Sequence, residues 1–160
     1  MHLPITALLP LLLTLPFTSA HLELIYPPSR AFNEDTLSTF PCGGQNTPSA
    51  TRTPWSLRGG PISLKLGHTS SAVQVLLGLG NDPGSAFNLV LLPTMQENAP
   101  GSFCIAGVTG SIPASLGIRD GDNATLQVVS NGDPAGGLYS VSYIYCDRRL
   151  VGRLFRADFG

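Results

Sequence analysis

The chain has 160 residues and nearly balanced charge, with nine Lys and Arg against ten Asp and Glu, so its formal net charge is −1. This balance leaves no basic patch of the kind that binds nucleic acid. Beyond the amino-terminal segment, no apolar run is long enough to form a membrane-spanning helix.

The first twenty residues have the pattern of a secretory signal peptide. Residues 5–17 form an apolar run that Pro10 and Pro16 interrupt, and the small residues Thr18-Ser19-Ala20 follow it. The run is too short to span a bilayer. We therefore predict that residues 1–20 are removed and that His21 is the first residue of a secreted, extracellular chain.

Short runs of alternating apolar and polar residues follow in the remaining sequence, separated by Gly, Pro, Asn and Asp. This pattern is typical of strands joined by turns, and it predicts an all-β, antiparallel β-sandwich. Residues 27–61, rich in Pro, Ser, Thr and Gly, are predicted to form a long ordered loop. The predicted strands lie at Ile62–Leu66, Val73–Leu79, Phe87–Leu91, Ala124–Val128 and Tyr139–Tyr145.

The carboxyl-terminal residues differ from the rest of the chain. Residues 147–160 hold four of the nine basic residues, and they lack the turn residues seen upstream. We therefore predict one domain over residues 21–146, followed by an atypical basic tail over residues 147–160.

Two features agree with secretion. Asn123-Ala124-Thr125 is an N-glycosylation sequon, which makes Asn123 a candidate glycosylation site. The three cysteines are disulfide candidates. Because their number is odd, at least one thiol stays unpaired within the chain. They are Cys42, Cys104 and Cys146.

The two histidines of the secreted chain are candidate metal ligands. A free amino-terminal His21 would supply its α-amine and its imidazole, and His68 lies in a turn between two predicted strands. Copper(II) favours these nitrogens, and all three are available near neutral pH. The pattern predicts one Cu(II) per chain on His21 and His68. The alternative is that His68 merely ends a strand in phase with Ile62, Leu64 and Leu66.

Carboxylates and aromatic residues are open to two interpretations. Asp120 and Asp122 precede a predicted strand, where turn chemistry is their ordinary role, and they are also weak candidates for a third metal ligand. Tyr26 and Trp55 are either sugar-stacking surface residues or core residues, and a sandwich favours the core.

An ordered set of segments resembles the fungal proteins related to lytic polysaccharide monooxygenases that act as surface copper-binding or copper-acquisition factors of the BIM type. The resemblance implies an immunoglobulin-like or fibronectin-III-like sandwich and a copper histidine brace, in which His21 and His68 match the two histidines. The segments are His21–Arg30, Phe40–Gly44, Arg52–Leu57, Gly59–Ile62, Gly67–His68, Leu79–Gly84, Gly101–Cys104, Asp122–Val128 and Gly136–Tyr139.

The chain departs from that family after Tyr139. A cysteine and an aspartate of the family pattern would fall at Val141 and Tyr143, and the aspartate is the third copper ligand that the resemblance implies. Cys146 lies five positions late and is not expected to replace that cysteine as the partner of Cys42. We therefore expect the chain to lack the Ser-rich tail and the lipid-anchor (GPI) signal of the family. One hypothesis is that the sequence from about Ser140 is not the family's own ending; the alternative is a diverged member.

The function predicted from these observations is copper acquisition or homeostasis by a monomeric extracellular protein without polysaccharide oxidation. The expected partners are a copper ion and a membrane copper transporter. Two alternatives stay open: a copper-dependent polysaccharide monooxygenase, and a metal-free adhesion or cell-wall module.

Overall fold

The computed structural model describes residues 21–108, 112–132, 136–148 and 150. The predicted signal peptide and most of the predicted basic tail lie outside these residues. Within them, no helix is long and apolar enough to cross a membrane. Two 3-10 turns lie at Glu34–Thr36 and Ala114–Leu116. The strands are β1 (Leu22–Tyr26), β2 (Thr53–Ser56), β3 (Gly60–Leu66), β4 (Ser71–Leu79), β5 (Leu89–Glu97), β6 (Gly101–Val108), β7 (Asn123–Asn131) and β8 (Gly137–Asp147).

The strands form two sheets that pack as a sandwich, which confirms the predicted all-β fold. One sheet has the order β1-β3-β6, and the other has the order β2-β8-β7-β4-β5. One pair of strands departs from the antiparallel pattern, because β2 pairs in parallel with β8, with Trp55 opposite Cys146. Four residues of β2 are enough for this pairing because β8 is long and already held by β7 on its other edge.

The inner faces of both sheets make the core. Strands β1, β3 and β4 show the period-two burial expected of strands with one face in the core, as in Val73, Val75 and Leu77, which are almost fully buried. Trp55 is 1 % exposed and Tyr26 packs partly buried against the same core. The core interpretation of these two aromatic residues is therefore confirmed.

Residues 27–52, here called the covering loop, lie over the outer face of the five-stranded sheet. The Arg30 N–H donates to the Val141 carbonyl, and the Gln127 amide donates to the Pro41 carbonyl at 2.6 Å. The predicted loop of residues 27–61 was too long. Its last part forms β2 and the start of β3, and its middle contains the 3-10 turn at Glu34–Thr36.

Strand β8 is buried on both faces because the core covers one face and the covering loop covers the other. Val141 and Tyr143 are 1 % and 3 % exposed on the outer face, and Ile144 is fully buried on the inner face. The strand pairs with β7 from Gly137 to Tyr145 and with β2 as far as Asp147. Residues 140–147 are thus part of the sandwich.

The three predicted disulfide candidates are free thiols in the structure. Cys42 and Cys146 are buried, and Cys104 is exposed on β6. Cys42 belongs to a small cluster with Phe87 and Val141 on the outer face, whereas Cys146 belongs to the main core. The two buried thiols therefore lie on opposite faces of β8, as the odd spacing between Val141 and Cys146 requires.

Candidate metal centre

The pairing of β1 with β3 brings the two candidate histidines to one edge of the sandwich. Leu22 lies opposite Leu66, and the Gly67 N–H donates to the His21 carbonyl at 2.9 Å. His21 is therefore the residue before one strand, and His68 follows two residues after the end of its neighbour. This register places both residues at the same end of the β1–β3 pair.

Gly67 packs directly against the nitrogens of His21. A Cβ atom at Gly67 would lie 3.0 Å from the His21 backbone nitrogen and 3.3 Å from its Nδ1. These two nitrogens thus lie on the same side of the residue, toward the segment that carries His68. Because glycine has no Cβ atom, the two His21 nitrogens can lie this close to the backbone of residue 67 without being displaced.

The imidazole of His68 contains a buried nitrogen without a hydrogen-bonding partner. Its Nε2 is fully shielded, although the residue itself is half-buried. A buried polar atom without a partner costs about 1–3 kcal/mol, so such atoms call for an explanation. A metal ion bound to Nε2 would provide one.

Glu34 is a site residue that the sequence reasoning missed. Its Oε1 lies 2.8 Å from Nε2 of His21, and both side chains are partly exposed, at 37 % and 41 %. An ionised carboxylate only accepts hydrogen bonds, so a hydrogen bond in this contact would need the proton on Nε2. A neutral imidazole with its proton there has its lone pair on Nδ1, which lies on the same side of the residue as the His21 backbone nitrogen.

Hydrogen bonds within the covering loop and to β8 fix the position of Glu34. The Asn33 side chain accepts from the Asp35 N–H at 3.1 Å and begins the 3-10 turn. The Thr36 hydroxyl contacts the Gly43 carbonyl at 2.8 Å, and the Tyr139 N–H donates to the Leu37 carbonyl at 2.8 Å. The turn is therefore held against β8 on one side and within the covering loop on the other.

The structure does not bring Asp120 and Asp122 to the histidines. Ser71, three residues after His68, begins β4, and Leu79 at its other end pairs with Ala124. Nine strand residues separate these ends by roughly 25 Å. Asp122 accepts from the Arg119 N–H at 2.7 Å and Asp120 accepts from the Arg148 N–H at 2.8 Å. Both carboxylates perform turn chemistry, and we discard them as metal ligands.

Tyr143, at the position where the resemblance implied a carboxylate ligand, packs beneath two arginines. The guanidinium carbons of Arg30 and Arg52 lie 3.7 Å and 4.9 Å from the ring centre. Burial raises the pKa of the Tyr143 hydroxyl, an effect that the nearby Arg30 charge opposes. This position therefore supplies no carboxylate to the candidate centre.

Within the described residues, no group of three or more His, Cys, Asp or Glu side chains is arranged to hold a metal ion. A site with two imidazoles therefore needs its third ligand from another source. The nitrogen of His21 could serve only as a free amine, which requires that the bond after Ala20 is cut. The donor set of amine and imidazole nitrogens suits copper rather than calcium or magnesium.

The family model described as "Copper acquisition factor BIM1-like" matches residues 19–147. The chain belongs to this family. The match includes both candidate histidines, and it extends through β8, beyond the point where the sequence pattern departs from expectation.

Curated relatives of this BIM1-like chain come from several fungi. An uncharacterised protein of Aspergillus fumigatus is 50 % identical over 133 residues, which are 81 % of this chain and 54 % of the relative. A "lytic polysaccharide monooxygenase-like protein X325" of Hypocrea jecorina is 34 % identical, over 82 % of this chain and 67 % of the relative. "Copper acquisition factor BIM1" of Cryptococcus neoformans is 32 % identical, over 77 % and 58 %. This chain therefore spans about half to two thirds of the length of these relatives.

Proposed function

We propose that this BIM1-like protein binds one Cu(II) through the α-amine of His21, Nδ1 of His21 and Nε2 of His68, and that it serves in copper acquisition or homeostasis outside the cell. The observation that carries the proposal is the β1–β3 register. It sets the two His21 nitrogens against Gly67, the residue before His68, and the Nε2 atom of His68 is buried without a hydrogen-bonding partner.

The chemistry of this site follows from its own residues. The amine and Nδ1 of one residue make a chelate, so binding the first nitrogen orders the second at little further entropic cost. Glu34 holds the proton on Nε2 of His21 and keeps Nδ1 available. Copper, when bound, supplies a Lewis-acidic and redox-active ion, and the family name supports capture of that ion as cargo.

The direct test is a Cu(II) titration of a chain that begins at His21, followed by calorimetry and by electron paramagnetic resonance. We expect one equivalent to bind, with nitrogen hyperfine structure in the spectrum. His21→Ala and His68→Ala should each remove this site, and Asp122→Asn should keep it. The absence of saturable binding at one equivalent would refute the proposal.

The amine ligand has its own control. A chain with one additional alanine before His21 keeps both imidazoles but converts the amine to an amide. We expect copper binding to weaken strongly in this form while the melting temperature of the metal-free protein stays the same. Equal affinity of the two forms would show that the amine is not a ligand.

Oxidation of polysaccharide is the second candidate function. The covering loop that carries Glu34 also exposes Phe32 and Phe40, at 42 % and 55 %, and aromatic rings stack on sugars. The test incubates copper-loaded protein with chitin or cellulose and a reductant, followed by product analysis. Oxidised oligosaccharides that disappear in His21→Ala would establish the enzyme in place of the binding protein.

A further inference from the structure

The exposed apolar residues Leu79 and Leu116 lie together in a surface pocket far from the histidines. These side chains are 48 % and 46 % exposed, and no strand or loop of the described structure covers them. The pocket has a volume of about 440 Å³, within the range of small-molecule sites. Its lining includes Leu79, Gly80, Leu116, Gly117, Ile118 and Asn123.

Asn123, the sequon asparagine, forms part of the pocket wall. Asn123 is exposed at the first position of β7, and the Gly80 N–H donates to its carbonyl at 2.9 Å. The 79–84 turn therefore flanks Asn123 directly, and the loop that follows the Ala114–Leu116 turn lines the same pocket. Because Asn123 lines the same pocket as Leu79 and Leu116, a group attached to its side chain has both leucines within reach.

We propose that an N-linked glycan is attached to Asn123 and that its first N-acetylglucosamine packs against Leu79 and Leu116. A pyranose ring has an apolar C–H face and an acetamido methyl group, which can cover the leucines, while its hydroxyls stay in water. The covalent link holds the sugar at the site, so no entropy of association opposes this contact. The inference concerns a different part of the molecule from the candidate metal centre and does not depend on copper.

The third residue of the sequon constrains when the glycan is added. Thr125 is fully buried, and its hydroxyl donates to the Gly80 carbonyl at 3.0 Å and accepts from Arg30 at 3.2 Å. The sequon can be read only while β7 is unpaired, so attachment precedes folding. The glycan should be removed by an enzyme or by a substitution at Asn123, because a substitution at Thr125 would also disturb Arg30.

The experiment uses the chain secreted from a fungal host and compares two enzymatic products of the same folded protein. An endoglycosidase leaves one N-acetylglucosamine on Asn123, and an amidase removes the whole glycan and leaves aspartate. Mass spectrometry identifies the modified residue, and hydroxyl-radical footprinting measures the accessibility of Leu79 and Leu116. Val90, which is 46 % exposed on β5, is the matched control.

We expect Leu79 and Leu116 to be oxidised more slowly in the one-sugar form, and Val90 to be oxidised equally in both. The one-sugar form should melt higher by roughly 3 °C. This difference should vanish in the Leu79→Ser/Leu116→Ser variant, and an Asn123→Asp chain should match the amidase product. An unmodified Asn123 in the secreted chain, or equal oxidation of both leucines in the two forms, would overturn the proposal.

Discussion

Oε1 of Glu34 lies 2.8 Å from Nε2 of His21, so a residue of the covering loop contacts the first residue of the predicted secreted chain. The contact uses the ring nitrogen that the proposed copper site leaves free. Carboxylates in this position orient the ring and select the tautomer of a metal-binding histidine, and their loss typically costs 10- to 100-fold in metal affinity.

We expect Glu34→Ala to weaken Cu(II) binding by about 10- to 100-fold. Glu34→Gln should fall between this variant and the wild type, because its carbonyl still accepts from Nε2 but carries no charge. Competition titration against a chelator of known affinity measures the difference. Asp35→Asn is the control, since Asp35 is exposed on the same turn and its loss changes the net charge equally. If Asp35→Asn weakens binding as much as Glu34→Ala, the contribution of Glu34 is only its charge.

Gly67→Ala tests the close approach of β3 to His21. The added Cβ would lie 3.0 Å from the His21 nitrogen and 3.3 Å from Nδ1, so the histidine must move by a few tenths of an ångström. We expect weaker Cu(II) binding and an altered paramagnetic resonance spectrum, with a loss of unfolding free energy below about 1.5 kcal/mol. Wild-type affinity and spectrum in this variant would mean that the space beside Gly67 is not used by the metal.

Arg30 holds the covering loop onto the five-stranded sheet. Its guanidinium donates to the carbonyls of Gln45 and Asn81 at 2.9 and 3.1 Å, and it lies over the ring of Tyr143. Burial lowers the pKa of Arg30, but the group stays charged at any pH where the protein folds. One planar, forked cation therefore joins three separate segments of the chain.

We expect Arg30→Ala to lower the free energy of unfolding by about 2–4 kcal/mol, because three charge-assisted hydrogen bonds, the third to the Thr125 hydroxyl, and a cation–π contact are lost. Arg30→Lys should restore only a minor part, since an ammonium group cannot reach both carbonyls and also stack on the ring. Urea denaturation measures the change. Arg119→Ala, at an exposed arginine, should change stability by less than about 0.5 kcal/mol. Equal effects of the alanine variants at Arg30 and Arg119 would contradict the anchoring role.

The sequence predicted those strands whose side chains alternate between core and surface. Val73, Val75 and Leu77 of β4 show this pattern, and so do Leu64 and Leu66 of β3. Strand β6 was missed because Phe103 and Ile105 are only half-buried at the edge of the smaller sheet, so its alternation is weak.

The candidate site was predicted only in part because sequence spacing carries no information on which loops meet. The register of β1 and β3 places His21 and His68 at the same end of these two strands. An argument from neighbouring strands in the sequence can anticipate this placement. Glu34 reaches His21 because of the path of the irregular covering loop. A loop without regular structure has no periodic sequence pattern from which its path could be predicted. Asp120 and Asp122 were only weak candidates from the sequence, and the direction of β4 and β7 places them at the other end of the sheet.

Val141→Cys should create a disulfide with Cys42. The two residues belong to one buried cluster on the outer face of β8, and the resemblance to the family places a cysteine at this position. Closing a loop of this length should stabilise the chain by about 2–4 kcal/mol. Thiol titration of the unfolded protein should find three thiols in the wild type and two in the variant. A Val141→Cys/Cys42→Ala chain is the control, and four free thiols in Val141→Cys would show that the two positions do not meet.

Because the Cys146 thiol is buried, we expect the protein to lose stability at alkaline pH. Burial raises the pKa of this thiol from 9.0 to about 11, with smaller contributions from Asp122 and Asp120. The unfolded chain therefore releases this proton at a lower pH than the folded chain, so the unfolded state binds fewer protons and stability falls as pH rises. The loss begins near the unfolded pKa and is complete above the folded one, in a window from about pH 9 to pH 11.

Urea unfolding under reducing conditions at pH 7, 9 and 10 measures this effect. We expect the free energy of unfolding to fall above pH 9, with a contribution from Cys146 that approaches about 1.4 kcal/mol per pH unit. Cys146→Ala should have a shallower slope, although Cys42 and Tyr143, whose pKa values burial also raises, keep part of it. Cys104→Ala removes an exposed thiol and should leave the slope as it is. If Cys146→Ala and the wild type lose stability in parallel above pH 9, another group is responsible for the alkaline instability.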